Sequence, residues 1–374
     1  MSEVKVSKLT NRAGTGAPNF SQGVKISGTT STLLAPTRTE GATEPTSPSN
    51  GDTWYDTAND TYDVYINNEW KRFIGAAASS AVWYGDRGIF AGNVSGNQID
   101  YVDITTTGNA TDFGNLYNNN YSMGAVSDGS RGVWGGGDSQ AGITNMMQYI
   151  TTSTAGNTTD FGDLTVARRF LAACGDGTYG VFGGGKDVNG NPVNVMDYIT
   201  VQTTGNAADF GDLTLARENN TALGNSTYGV FAAGYNAGYS NIIDYVTIAT
   251  TGNASDFGDL SYGNNTSAAL SDDTRGLISD GGSSDVTKIS YITVSTPSNA
   301  TDFGDLIPLN GSNEIQGLMA AANSTRGLWA GGFANGTYNV IQYVTIQTLG
   351  NATDFGDLTV ARYSQSGGLS GAAA

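Results

Sequence analysis

Residues 112–116 read Asp-Phe-Gly-Asn-Leu, and the chain of 374 residues repeats this phrase five more times with small changes. Successive copies lie 46 to 52 residues apart, and their triplets begin at Asp112, Asp160, Asp209, Asp256, Asp302 and Asp354. Self-similarity at such a period is the signature of a repeat architecture, in which each repeat is one supersecondary unit. The repeat therefore determines the architecture of the chain.

Each repeat carries the signals of a short β meander. Before the triplet stands a β-rich run, such as Tyr-Ile-Thr-Val at 198–201, followed by a turn of the type Gly-Asn-Ala-Thr. After the triplet come a second run, as at 170–174, and a third that begins Arg-Gly or Tyr-Gly, as at 179–182. Runs of this length, bounded by Gly, Asn, Asp and Ser, are typical of strands joined by tight turns. Each repeat is predicted to supply three clear strands and a short one around its Phe-Gly.

Six such meanders predict an all-β chain in which residues 75–374 form a six-bladed β-propeller. One small meander cannot bury both of its faces, whereas units packed around an axis cover one another and leave only short edges. A propeller closes by joining strands from both ends of the chain within one blade. Two segments, 81–84 and 361–371, resemble the innermost strand of the first blade, and the choice between them stays open.

The order of residues within the repeat resembles that of kelch repeats. A Gly pair, a Tyr, an aromatic residue and an Arg follow one another, most clearly at Gly184-Gly185, Tyr198, Phe210 and Arg217. Kelch repeats carry Trp where Phe210 stands, and the spacing from Tyr to the aromatic is longer here. The resemblance implies a kelch-like propeller rather than membership of the kelch family proper.

The composition argues against several classes of function. The formal net charge is -17, and phosphate binding needs a basic patch, so nucleic acid is not an expected partner. The chain has no His, and each candidate carboxylate is an Asp in repeat register, so we predict no catalytic residue, no metal site and no cofactor. Cys174 is the single cysteine, which leaves no disulfide framework. The sequence has no apolar stretch long enough to predict membrane insertion.

The first 74 residues are of a different kind. Residues 1–44 are polar and predict an extended N-terminal docking arm that a partner orders. Residues 45–74 predict a small β meander, with aromatic residues alternating along short strands near 51–56, 62–66 and 70–73.

This small β module resembles one that is common in tail and fibre proteins of tailed bacteriophages. The resemblance lies in Gly-Asp-Thr-Trp-Tyr-Asp at 51–56, the following Tyr62 and the terminal Trp70, with Thr53 in place of the usual Leu. Residues 11–18 resemble phage fibre N-termini. The six-repeat region is similar to structural proteins of marine phages, particularly those that infect cyanobacteria.

The resemblance implies a structural protein of a phage virion, a tail or neck fibre or another appendage. Residues 1–74 would attach it to other virion proteins, and the propeller would recognise a glycan or receptor on the host surface. Because phage fibres are often trimers, the resemblance also implies a homo-oligomer. Two alternatives stay open: a purely structural collar, baseplate or capsid-decoration subunit, and, less favoured, a depolymerase of host glycan.

Two sets of residues are the predicted ligand-binding positions. One set stands four residues after each repeat Leu and consists of hydrogen-bond donors, expected to circle the mouth of a central channel: Asn120, Arg168, Arg217, Asn264, Asn310 and Arg362. The other set is aromatic and lies in loops of variable length, typical of recognition surfaces: Tyr235, Tyr239, Phe333 and Tyr338. The alternative for the donors is that they satisfy carbonyl groups of neighbouring blades.

Overall fold

A computed structural model describes residues 38–41, 43, 45–49, 52–56, 61–66, 69–72, 85–94, 96–281, 287–364 and 367–371. The chain divides into two compact units, residues 1–79 and 80–374. Across the described ranges it forms strands and turns with no helix, which confirms the predicted all-β class. The predicted strand at 81–84 and the motif at 11–18 lie outside these ranges.

The described residues of the first unit form a four-stranded sheet. Its strands, in order across the sheet, are β1 (Arg38–Gly41), β2 (Thr53–Asp56), β3 (Thr61–Ile66) and β4 (Glu69–Arg72). Strands β2 to β4 are antiparallel, and they correspond to the three strands predicted from the aromatic alternation.

Aromatic side chains form the core of this small sheet. Trp54 is buried, and its ring lies 5.9 Å from that of Trp70, which in turn lies 5.2 Å from the ring of Tyr65. The sequence did not predict β1, which pairs parallel to β2 from within the segment interpreted as an arm.

The described residues of the second unit form six four-stranded antiparallel sheets, numbered here from first to sixth. Its strands in chain order are β5 (Arg87–Asn93), β6 (Gly96–Asp103), β7 (Thr111–Asn115), β8 (Asn120–Tyr121), β9 (Gly124–Ser127), β10 (Arg131–Gly135), β11 (Asp138–Ser139), β12 (Gly142–Ile143), β13 (Met146–Thr151), β14 (Thr159–Asp163), β15 (Arg168–Arg169), β16 (Ala172–Gly175), β17 (Tyr179–Gly183), β18 (Lys186–Asp187), β19 (Val195–Thr200), β20 (Ala208–Asp212), β21 (Thr221–Gly224), β22 (Tyr228–Ala232), β23 (Ser240–Thr247), β24 (Ser255–Asn264), β25 (Ala269–Ser271), β26 (Arg275–Ser279), β27 (Lys288–Thr293), β28 (Thr301–Asp305), β29 (Met319–Ala322), β30 (Arg326–Ala330), β31 (Val340–Thr345), β32 (Thr353–Asp357) and β33 (Gly368–Gly371).

Five of the sheets are meanders of strands that follow one another in the chain. They have the orders β9-β10-β13-β14, β16-β17-β19-β20, β21-β22-β23-β24, β25-β26-β27-β28 and β29-β30-β31-β32, and they are the second to the sixth sheets. The first sheet has the order β33-β5-β6-β7, so its first strand comes from the other end of the chain. Of the two segments left open by the sequence, 361–371 therefore supplies this strand.

Each Asp-Phe-Gly triplet forms a β-bulge in the fourth strand of its sheet. In the second sheet Gly162 pairs with Met147 and Asp160 with Gln148, so Phe161 is the extra residue between them. The same shift of register occurs in the other five sheets. Such a bulge bends the strand and redirects a side chain. Here Phe161 is buried, with its ring 6.0 Å from that of Tyr149 in an edge-to-face arrangement.

The glycine of each triplet lies against the turn of the next sheet. All six have φ between +142° and +154°, and a Cβ at any of them would come within 2.5 Å of a backbone carbonyl oxygen. The pairs of glycine and carbonyl-bearing residue are Gly114 with Gly156, Gly162 with Gly205, Gly211 with Gly252, Gly258 with Ser298, Gly304 with Gly350, and Gly356 with Gly108. The series thus runs from each sheet to the next and from the sixth sheet to the first.

Hydrogen bonds accompany each of these close approaches. At the junction of the third and fourth sheets, the Gly252 N–H donates to the Phe210 carbonyl over 2.7 Å, and the Ala254 N–H donates to the Asp212 carbonyl over 2.8 Å. The Asn253 side-chain oxygen accepts the Asp212 N–H at 3.0 Å. The equivalent Asn at the other five junctions accepts in the same way. The recurrent Gly-Asn-Ala-Thr turn is therefore an intersheet connector.

A second series of contacts joins the first strands. The strands contact one another in the cyclic order β33, β9, β16, β21, β25, β29 and back to β33, and all six line one cavity of about 70 Å³. A side chain from each first strand also packs on the second-strand glycine of the following sheet. The pairs are Leu369 with Gly132, Val126 with Gly180, Cys174 with Gly229, Leu223 with Gly276, Leu270 with Gly327, and Ala321 with Gly88.

Replacing Gly304 and Gly350 by Ala separates backbone strain from intersheet packing. Their φ angles are +154° and +155°, but a Cβ at Gly304 would meet the Gly350 carbonyl, whereas nothing lies within 4 Å of a Cβ at Gly350. Both variants bear similar strain, and overpacking adds to it at Gly304. We expect Gly304→Ala to lower the free energy of unfolding by about 1–3 kcal/mol more than Gly350→Ala in urea denaturation followed by circular dichroism. Equal losses would contradict tight intersheet packing.

Candidate functional site

Three of the six predicted donors are arginines in buried ion pairs. Arg168 donates to the Asp197 carboxylate over 2.8 Å and to the carbonyl groups of Val195 and Phe182. Arg217 pairs with Asp244 at 2.9 Å, and Arg362 pairs with Asp100. All six side chains in these pairs are fully buried. Burial lowers the pKa of Arg168 and of Arg217, and the neighbouring carboxylate opposes this shift in each case.

Two of the predicted asparagines are also buried. The Asn120 side chain donates to the Gly136 carbonyl over 2.9 Å, and its oxygen accepts the Tyr121 N–H at 3.0 Å. Asn264 donates to the Asp280 carboxylate over 2.8 Å. Of the six predicted donors, Asn310 alone is exposed.

Five of the six predicted donors are therefore buried within the fold and do not lie at a surface. A buried polar group is costly unless it is hydrogen-bonded, and these side chains supply the missing partners for carbonyls and carboxylates between strands. A ligand at the surface does not reach them. The five buried donors all donate to backbone carbonyls, but each carbonyl belongs to the sheet whose first strand follows the donor, whereas the alternative interpretation expected carbonyls of neighbouring blades.

The sequence contains a signal for these pairs. One third-strand position holds, from the first to the sixth sheet, Asp100, Gln148, Asp197, Asp244, Ser290 and Gln342. Each predicted donor lies shortly before the first strand of one sheet. This donor is Arg where the third-strand residue of the same sheet is Asp, and it is Asn where that residue is Gln or Ser. Matched charges at two positions of an internal repeat indicate a buried contact, because an unpaired buried charge destabilises strongly.

Loops meet at one end of each sheet, here called the loop end. In an antiparallel meander, the second and fourth strands end at the same end of the sheet. The loop to the third strand and the connection to the next sheet therefore both begin there. Backbone pairs join the two kinds of connection: β8 with β11, β15 with β18, Glu218 with Tyr235, and Gln316 with Phe333. These loops are therefore anchored to one another.

Three of the four predicted loop aromatics are exposed. Tyr235 and Tyr239 are 37 % and 52 % exposed, with ring centroids 5.9 Å apart, and Phe333 is 41 % exposed and lies 5.6 Å from the ring of Tyr363. Tyr338 is half-buried and packs against the core around the sixth sheet. Whether any of them binds a ligand stays a prediction.

An exposed aromatic side chain that the prediction missed lies at the loop end of the first sheet. Tyr117 follows the repeat Leu116 and is 71 % exposed. At the same position the other repeats carry Thr165, Thr214, Ser261, Ile307 and Thr359. Alignment of the repeats therefore singles out Tyr117 as the one aromatic residue at this position.

Comparisons with known proteins give no match: no protein-family model and no curated protein matches the chain. Among the described residues, no group of three or more His, Cys, Asp or Glu side chains is placed to hold a metal ion. In the same part of the chain, no helix has the length and apolar character needed to cross a bilayer.

The coupling of Arg217 and Asp244 can be tested by replacing both residues with those that another repeat carries at the same positions. Arg217→Asn leaves the Asp244 carboxylate buried without its cation, and we expect a loss of about 3–5 kcal/mol in the free energy of unfolding. Adding Asp244→Gln reproduces the Asn120 and Gln148 combination of the second sheet and should recover more than half of that loss. Urea denaturation measures both variants. A double variant no more stable than Arg217→Asn would show that the two positions are not coupled.

The buried carboxylate of Asp280 predicts a pH-dependent stability. Burial raises its pKa to about 7, although hydrogen bonds from Tyr262 and the charge of Lys288 oppose the shift. Between pH about 4 and about 7 the folded chain keeps a proton that the unfolded chain has lost, so this group makes the protein less stable as pH rises.

Asp280→Asn should remove this pH dependence. Relative to the unmodified chain, the variant should gain about 2–3 kcal/mol in free energy of unfolding from pH 5 to pH 8. Urea denaturation at several pH values measures the gain. Asp302→Asn, which removes an exposed carboxylate from the same sheet, controls for the change in net charge. A constant difference between the Asp280→Asn variant and the unmodified chain at all pH values would contradict the assignment.

Proposed function

We propose that the six sheets of the second unit are the blades of a closed, kelch-like β-propeller. Three observations support this arrangement: the cyclic contacts of the first strands, the cavity that all six of them line, and the series of glycine contacts that returns from the sixth sheet to the first. Closure would also explain why β33 joins β5, since a ring has no free edge once its two ends share a sheet.

We further propose that the chain is a virion protein of a tailed phage, carried as a tail or neck fibre or another appendage. The support is the resemblance of residues 51–70 to a module of phage tail and fibre proteins, together with the small aromatic-centred sheet that these residues form. In this proposal residues 1–74 attach the chain to other virion proteins. A homo-oligomer remains a prediction from the same resemblance.

The work of the propeller, in this proposal, is non-covalent recognition of the host surface through its loop end. The observation that carries it is the presence of exposed aromatic side chains on loops whose backbones are paired to one another. A rigid scaffold with variable polar and aromatic loops is a common basis for recognition, because the aromatic rings supply contact area at low cost in conformational entropy. The negative charge of the chain favours an uncharged or basic partner over an acidic one.

Cell binding by the full-length chain tests this function. Fluorescently labelled protein is incubated with a panel of cyanobacterial strains, and bound label is counted by flow cytometry with unlabelled protein as competitor. We expect saturable binding to some strains and none to others. We also expect the double variant Tyr235→Ala/Tyr239→Ala to bind more weakly while its unfolding midpoint stays unchanged.

Two other outcomes favour the alternatives. Absence of saturable binding to every strain, with incorporation of the chain into virions, would contradict host recognition and favour a purely structural subunit. Release of reducing sugar from cell-surface polysaccharide by the purified chain would favour a depolymerase.

A further inference from the structure

A polar groove lies where the loop ends of the first and second sheets meet. Its volume is about 370 Å³, within the range of small-molecule sites. Among the residues that the structure describes, no charged side chain lines it, and its walls include Asn97, Tyr117, Asn118, Asn119, Ser139 and Gln140. The groove thus combines amide and hydroxyl groups with one exposed aromatic ring.

The backbone around the groove is held in place by the fold. Strand β11, which contains Ser139, lies between β8 and β12 in a small three-stranded sheet. The neighbouring Asp138 carboxylate accepts a hydrogen bond from the Tyr121 hydroxyl at 3.2 Å and pairs with Arg169 of β15. On the opposite wall, Asn97 exchanges two hydrogen bonds with the backbone of Leu116. A preformed site loses little conformational entropy when a ligand binds.

Four of the side chains that line this groove are free to bind, while those of Asn97 and Ser139 are held by hydrogen bonds to the backbone. The Tyr117 N–H donates to the Gln148 side chain over 2.9 Å, which fixes the backbone, while its ring remains exposed. Within the described residues, the amides of Asn118, Asn119 and Gln140 make no hydrogen bond to protein. Each amide offers both donors and acceptors.

The fold does not require these residues at these positions. After the fourth strands of the second and third sheets, the positions of Tyr117, Asn118 and Asn119 are filled by Thr-Val-Ala and Thr-Leu-Ala, at 165–167 and 214–216. Those junctions form with the same intersheet hydrogen bonds. The aromatic and amide groups are therefore local additions to a repeat that folds without them.

From this chemistry we propose that the groove binds a neutral saccharide. Sugar hydroxyls donate and accept hydrogen bonds, which matches side-chain amides, and the C–H face of a pyranose packs on an aromatic ring such as that of Tyr117. A groove without charged side chains does not compensate the charge of an acidic sugar. The inference rests on the proposed function only for the source of the saccharide, a host-surface glycan.

Titration of the full-length chain with maltotriose, cellotriose and chitotriose tests the proposal. Isothermal titration calorimetry or saturation-transfer NMR should detect binding of at least one of them. Tyr117→Ala should weaken that binding at least tenfold, Tyr117→Trp should keep it within about threefold, and Asn118→Ala/Asn119→Ala should weaken it. Leu349→Ala is the control, since it removes a 56 % exposed apolar side chain from the turn between β31 and β32, away from the loop ends, and it should change the affinity less than twofold.

Absence of binding for all three trisaccharides overturns the proposal, as does binding that Tyr117→Ala leaves unchanged. The cell-binding assay separates this failure from failure of the proposed function. If Tyr117→Ala binds cells as well as the unmodified chain does, the groove has no role while host recognition stands. If the chain binds a trisaccharide through Tyr117 but binds no strain, the groove stands and host recognition fails.

Discussion

The fold depends on the close approach of one glycine to one carbonyl group, made six times. At each junction the Asp-Phe-Gly glycine has a positive φ and leaves no room for a Cβ, since the next sheet's turn occupies that space. At the same triplet the Phe side chain is buried in a core cluster, which for Phe161 contains side chains of its own sheet and of the next one. One short phrase therefore shapes a strand and joins it to its neighbour, which explains why the phrase recurs while the loops around it vary.

Because of this constraint, residues in repeat register form the buried scaffold, and residues that depart from the repeat form the loop surface. Polar side chains in repeat register are buried and bind other buried polar groups, as Arg217 pairs with a carboxylate and Asn120 donates to a backbone carbonyl. A ligand site must then come from residues that depart from the repeat. At the loop ends these departures are aromatic and amide side chains, among them Tyr117, Tyr235 and Phe333, on backbones that are already paired. The proposed recognition function and the proposed saccharide groove both draw on that division.

Much of the fold followed from the sequence, because period, turn residues and alternation each predict strands independently of tertiary context. The sequence did not identify β33 as the first strand of the first sheet, since segments at both ends of the repeats have the composition of a first strand. Strand β1 was missed because Arg-Thr-Glu-Gly carries no alternation and pairs only in the folded sheet. The burial of the donors did not follow from the sequence, because a polar residue in repeat register is compatible with either a channel mouth or a buried pair. Across the repeats, the donor is Arg where the third strand carries Asp100, Asp197 or Asp244, and this covariation indicates the buried ion pairs.

Native-state hydrogen exchange at two junctions tests the closed ring most directly. The amides of Gly252 and Ala254 join the third sheet to the fourth, and those of Gly108 and Ala110 join the sixth to the first. In a closed ring the two pairs are equivalent, so they should be protected to a similar degree and lose protection together as denaturant is added. Rapid exchange at Gly108 and Ala110, with protection kept at Gly252 and Ala254, would show an open array and contradict the account.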